Sequence, residues 1–167
     1  MHLTDTLTPA DEKILENSIV FKGIPLEEIQ PFFHAGQVQI FYPEQAILSL
    51  GDKGRGLYIV LEGKAEVFIP HRDFNKNSKN DLKVSLELLK PGICFGEYSL
   101  VDHKDVSASV SAFTKARLFY LSTEDFYRIA DAHTRVENII YKNMLKLLIS
   151  RCREANQELE NDAFLIY

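Results

Sequence analysis

Residues Phe95 to Val110, FGEYSLVDHKDVSASV, have the composition of a loop that grips an anion. A Pro91-Gly92 turn leads into Gly96-Glu97, and small hydroxyl residues follow at Ser107-Ala108-Ser109. Successive backbone N–H groups at the start of a short helix form a concave donor site, and a glycine such as Gly96 lets an anion approach the chain closely. Ser107 can donate to an anionic oxygen. The carboxylate of Glu97 cannot attract an anion and suits a ligand hydroxyl instead. Where such a grip most needs a cation, between Asp105 and Ser107, the chain supplies Val106. The candidate substitute cations are Lys104 and His103 in the same loop, with Arg55 or Arg151 reaching in from elsewhere. Lysine would make a point-charge contact in place of the planar guanidinium fork.

The rest of the chain offers little further chemistry. Gly51 to Val67, GDKGRGLYIVLEGKAEV, reads as a turn, a buried strand and a hairpin, with Gly51 and Gly54 free to take positive φ and Gly63 opening the hairpin. The histidines are His2, His34, His71, His103 and His133; they form no His-x-His pair and have no glutamate at ligand spacing, a poor metal set. A haem sensor through His71 or His103 is the remaining metal alternative, and a colourless preparation would exclude it. Cys94 and Cys152 lie far apart without CxxC spacing, so neither a disulfide framework nor a zinc site is suggested. No nucleophile–base pair stands out. The expectation is a protein that is not an enzyme and requires no cofactor.

Three stretches of different texture must position these residues. Residues 1–36 read as an N-terminal helical segment: Thr8 suits an N-cap, Pro9 the first helical position, and Asp11 and Glu12 the positive end of the helix dipole. Gly23-Ile24-Pro25 breaks it before a second short helix that stops near Gly36. Residues 37–121 read as strands: VQIF, AILSL, GLYIVLEG, AEVFI, VSLELL, VSASVSA and RLFYL are short, rich in β-branched and aromatic residues, and parted by turn residues. With no helical pattern between them, they predict a sandwich or barrel and not a βαβ fold. The polar, basic segment 71–83 reads as a long hairpin loop, with docking of an acidic partner as its functional alternative.

Residues 122–160 turn helical again, with Ser122 as N-cap and Asp125 three residues on, and 161–167 form a tail. Tyr141, Leu145, Leu148, Cys152, Ala155 and Leu159 alternate spacings of four and three, the seam of a coiled coil. Val136, Ile139, Ile140, Met144 and Leu147 form a second stripe that packs back on the β domain. A helix apolar on two faces needs two partners, and a second copy is the simplest, so a homodimer through this helix is expected. The alternative is that both stripes pack within one chain.

The two glycine motifs, in this order and spacing, resemble the cyclic nucleotide-binding domain family, of the catabolite activator protein-like sensor type. Phe95, Gly96, Glu97, Ser99, Leu100, Ser107 and Ala108 fall where the family's phosphate-binding cassette has its Phe-Gly-Glu, small residue, leucine and Ser/Thr-Ala. The likeness extends to the N-terminal helices, the Gly51-Asp52 turn and the long helix after Phe126, and so covers nearly the whole chain. It implies a mainly β fold with flanking helices: an eight-stranded double-sheet jelly-roll barrel, short N-terminal helices and a long C-terminal helix. It implies a regulatory, signal-transducing module that binds a cyclic nucleotide, cAMP or cGMP, or a related anionic ligand, and signals through its C-terminal helix. A ligand-free interaction or dimerisation module of the same fold is the alternative. The ligand-binding residues it implies are Phe95, Gly96, Glu97, Tyr98, Ser99, Ser107, Ala108, Val67 and Arg151, with Glu97 on the ribose 2′-hydroxyl and Ser107 on the phosphate. The family's arginine belongs at Val106, and losing a desolvated Arg–phosphate pair costs about 2–5 kcal/mol, or roughly 30- to 4,000-fold in affinity.

The whole chain agrees with one domain of this kind. Its 167 residues, 46% apolar, are enough for a single core, and a net charge of −5 argues against a dedicated nucleic-acid binder. After the long helix the sequence runs only to Tyr167, so the DNA-reading domain of the family's transcription factors is not expected. It shows neither a signal-peptide pattern nor an apolar run approaching the roughly 18 residues of a membrane span, so a cytoplasmic protein is expected.

Overall fold

A computed structural model gives the arrangement of the chain and describes residues 3–70 and 83–164. The basic loop at 71–83 thus lies, apart from Lys83, outside the described residues. Two antiparallel sheets face one another. The larger runs in the order β1 (Leu3–Asp5), β2 (Gln37–Phe41), β9 (Ala116–Ser122), β4 (Gly56–Glu62) and β7 (Cys94–Phe95). The smaller runs β3 (Ala46–Leu48), β8 (Ser109–Ala112), β5 (Ala65–Pro70) and β6 (Lys83–Leu89). The helices are α1 (Pro9–Asn17), α2 (Leu26–Ala35), α3 (Tyr98–Asp102), α4 (Thr123–Ala130) and α5 (Thr134–Phe164). This is the double-sheet fold with flanking helices that the sequence predicts. β1, inside the segment expected to be helical, adds an edge strand by pairing Leu3 with Ile40 and Asp5 with Val38. The long helix also runs past Glu160 to Phe164.

The alternation of side chains along β4 builds two cores at once. Leu57, Ile59 and Leu61 point to the helical side, where they meet Phe21, Phe32, Phe119 and Phe126. Tyr58 and Val60 point between the sheets, towards Phe41, Leu89, Val110 and Leu118. A strand buried on both faces reads as a continuous apolar run, as LYIVL does. β6, the edge strand of the smaller sheet, behaves differently: its apolar positions Val84 and Leu86 are about half exposed.

The helix ends follow the local sequence. Thr8 accepts from the Asp11 N–H at 3.3 Å, and the Thr8 N–H donates to Asp11 Oδ2 at 2.9 Å, a reciprocal capping box. Asp11 also takes two hydrogen bonds from Arg117 of β9, at 3.0 and 2.9 Å, which ties α1 to the sheet. Ser122 caps α4 by accepting from the Asp125 N–H at 3.0 Å. On α5, Val136, Ile140 and Met144 are buried in the helical core, with Ile139 and Leu147 packed against it, the second stripe as expected. Tyr141, placed in the outer seam from its spacing, also packs on that core, whereas Leu145 and Leu159 stay exposed. Buried Asn143 donates to the carbonyls of Val20 and Lys22 at 3.2 and 2.9 Å and fixes the helix against the loop after α1. Among the described residues no helix is long and apolar enough to cross a membrane.

Candidate ligand-binding site

The segment that opens the sequence argument folds as β7, the short helix α3 and the loop into β8. Phe95 is anchored by its ring, stacked on Tyr58 at 5.1 Å. Gly96 has φ +80, and a Cβ there would stand 2.6 Å from the Gly56 carbonyl oxygen, so two backbones meet where only glycine fits. Ser99 Oγ donates back to the Gly96 carbonyl at 2.8 Å and closes the turn. Gly54 is needed for contact and not, as the sequence suggests, for positive φ: a Cβ there would lie 2.0 Å from Ser99 Cβ. The 51–56 turn is thus pressed against the cassette. It also pins the far loop, since the Val106 N–H donates to the Asp52 carbonyl at 2.7 Å and the Gly51 N–H to the Val106 carbonyl at 2.9 Å.

A cavity of about 490 Å³ opens between this cassette, the smaller sheet and α5. Phe95, Gly96, Glu97, Tyr98, Ser99, Ser107, Ala108, Val67 and Arg151, the residues singled out from the sequence, line it together with Val106. Lys104 and His103 do not. With Lys53 and Arg55 they line a separate hollow of about 430 Å³ on the other side of the loop. The cause is local: α3 ends at His103 in the left-handed conformation, its ring packed 5.9 Å from Tyr127, while the Lys104 N–H is held by Asp102 Oδ1 at 3.0 Å. Lys104 and His103, expected from the sequence as possible substitute cations, thus lie with Arg55 on that side of the loop.

Arg151 crosses from α5 to the cassette. Its Nη1 donates to Glu97 Oε1, its Nη2 donates to the Cys94 carbonyl at 2.9 Å, and its Nε lies 3.4 Å from Glu87 Oε2. Glu97 is 1% exposed. Burial pushes its carboxyl above the ordinary value, against the pull of Arg151. Sequence reasoning missed Glu87, Leu86 and the α5 residues Cys152, Glu154 and Ala155, which also line the cavity. A register shift of β6 opposite Val67 and Phe68 brings adjacent Leu86 and Glu87 both to the wall, which the clean alternation of β6 conceals. No group of three or more His, Cys, Asp or Glu among the described residues is placed to hold a metal ion.

The sequence profile of the cyclic nucleotide-binding domain matches residues 38–133, which take in the smaller sheet, the larger sheet apart from β1 and Gln37, and the segment from Phe95 to Val110. The chain belongs to the cyclic nucleotide-binding domain family. It is 32% identical over 146 residues to the cyclic AMP receptor protein of Thermus thermophilus, a match that covers 87% of this chain. The chain spans 62% of that relative's length. The solved structure of the Thermus thermophilus catabolite activator protein superposes with a TM-score of 0.70 at 32% identity, over 88% of this chain and 64% of the other. A cyclic nucleotide-binding domain from Methylobacillus flagellatus KT shares the fold at a TM-score of 0.77, with 24% identity over 97% of this chain and 88% of the other. Within this cyclic nucleotide-binding domain the cavity-lining loop carries Val106 between Asp105 and Ser107.

Proposed function

We propose that the chain is a regulatory sensor in which a small molecule held in the cassette cavity is read out as a shift of α5. The observation that carries this is Arg151: a guanidinium of α5 sits inside the cavity, paired with the cassette carboxylate of Glu97. A ligand group that engages Glu97 competes with Arg151, so it binds the two settings of α5 with different affinity, the requirement for any ligand-driven shift. A cyclic nucleotide is the ligand class that the family brings forward, with Glu97 on the ribose hydroxyl and Ser107 on the phosphate. Val106 in the arginine position weakens it. The output surface is the outer face of α5, where Leu145, Ile149 and Leu159 are exposed, and a second copy of the chain docks there, with the module acting in the cytoplasm. The role is regulatory and not catalytic.

Titration with cyclic AMP and cyclic GMP, followed by calorimetry and by hydrogen exchange of residues 134–164, tests the reading. Any ligand that binds the cavity is expected to change protection in α5. A cavity ligand that binds and leaves exchange in α5 unchanged rejects it. A ligand-free dimerisation module of the same fold is the second reading, favoured by Val106, and it requires that no small molecule alters α5.

A further inference from the structure

The walls of the cavity do not match a phosphate. Among the described residues its charged lining is Glu87, Glu97, Asp105 and Glu154 against a single cation, Arg151. That cation is already engaged by Glu97, by the Cys94 carbonyl at 2.9 Å and by Glu87 at 3.4 Å. The loop's own cations, Lys104 and His103, line the other hollow. Val106 stands at the cassette with both its backbone N–H and its carbonyl spent on the 51–52 turn. Leu48, Val67, Ile69, Phe95 and Val110 give the wall an apolar surface, with Tyr98, Ser99 and Ser107 as neutral polar groups. An anion entering here is desolvated beside carboxylates, and among the described residues of the lining no unengaged cation is left to pair with it, a costly arrangement for a buried charge. An apolar body is favoured by the same walls, and the volume suits a molecule of a few fused or linked rings.

We infer that the cavity takes a mainly apolar small molecule without phosphate, uncharged or cationic, whose N–H or O–H group donates to Glu97. The inference rests on the reading of this cavity as the sensor's ligand site and changes the ligand class from nucleotide to non-anionic. Entry of such a head displaces Arg151 from Glu97 with no net negative charge brought in.

A matched pair of fluorescent probes tests it on the full chain. N-phenyl-1-naphthylamine is uncharged with one N–H; 8-anilinonaphthalene-1-sulfonate is the same skeleton with a fixed negative charge. The expected result is saturable binding of the uncharged probe at least about tenfold tighter than the sulfonate. That binding is lost in Ala155→Trp and independently in Ser107→Trp, two exposed positions on the cavity wall where a large side chain blocks the cavity without entering a core. Cyclic AMP and cyclic GMP bind negligibly to the unaltered chain up to millimolar concentration, and Val106→Arg narrows the preference between the probes. Low-micromolar binding of either cyclic nucleotide overturns the inference. So does equal affinity for the two probes, binding of the uncharged probe that survives both blocking variants, or no binding of it at all. A nucleotide that binds and shifts α5 sinks this inference while leaving the sensor reading standing. An uncharged probe that binds the cavity without altering exchange in α5 does the reverse.

Discussion

Arg151 of α5 and Glu97 of the cassette, 54 positions apart in the sequence, form an ion pair inside the cavity, with side-chain exposures of 18% and 2%. The pair joins the long helix to the cassette beside the Arg151–Cys94 carbonyl hydrogen bond, so its removal has both a local and a global readout. Arg151→Ala leaves a carboxylate buried without its partner and is expected to lower stability by about 2–4 kcal/mol in urea denaturation at neutral pH. Glu97→Gln in the same background removes the stranded charge. The double variant should therefore lose less than the sum of the singles, by about 1–3 kcal/mol of coupling. Additive losses would show that the two side chains do not depend on one another.

Two glycines of like conformation separate backbone strain from steric contact. Gly92 and Gly96 have φ of +87 and +80, but a Cβ at Gly92 meets nothing within 4 Å, whereas at Gly96 it meets the Gly56 oxygen at 2.6 Å. Gly92→Ala is expected to cost about 1 kcal/mol and Gly96→Ala about 2–4 kcal/mol, measured by the same denaturation. Only the second should disturb ligand binding. Equal costs would mean that the cassette yields freely away from β4.

Asp11 gives a pH signature. Burial by itself would raise its carboxyl, but hydrogen bonds from Arg117 and Thr8 win and hold it below the ordinary value of 3.8. The unfolded chain then takes up this proton more readily than the folded one. The stabilisation is therefore present above pH 3.8 and lost as the pH falls through the lower, folded value. Asp11→Asn should be less stable by about 2–3 kcal/mol at neutral pH. Its deficit should shrink in acid, which thermal unfolding between neutral pH and pH 3.8 or below can follow. A deficit independent of pH would assign the loss to packing.

The outer face of α5 makes a prediction about assembly. Leu145 and Ile149 are exposed by 57% and 43%. Leu145→Asp with Ile149→Asp should leave the melting temperature of the monomer nearly unchanged, because neither side chain is in a core, yet halve the mass seen by sedimentation. A native chain that already sediments as a monomer at micromolar concentration rules out the docking of a second copy there.

Much of this architecture is legible in the sequence where one residue's neighbours along the chain decide its fate. Thr8 and Ser122 cap because their partners are three residues away. LYIVL is a strand buried on both sides because it is apolar at every position. The cassette frame is legible because its glycine and hydroxyl spacing is a local requirement. What could not be read depends on distant partners. Leu3–Asp5 becomes a strand only because β2 offers an edge, and Cys94–Phe95 only because Tyr58 and Ile59 receive it. Arg151 is placed at the cavity by the family resemblance, but its pairing with Glu97 depends on a partner 54 positions away, and Lys104 lines the other hollow just after the left-handed His103. The outward face of β6 shows the same limit: alternation announces two faces and leaves open which of them is inside.

β4 has a consequence for how the domain comes apart. One seven-residue strand supplies Leu57, Ile59 and Leu61 to one core and Tyr58 and Val60 to the other, so neither can lose its packing without withdrawing the wall of its neighbour. The barrel and the helices, distinct to the eye, are therefore expected to melt as one cooperative unit in a single transition. No stable half-domain is then expected to be trapped, cleaved away or exchanged between copies at this strand.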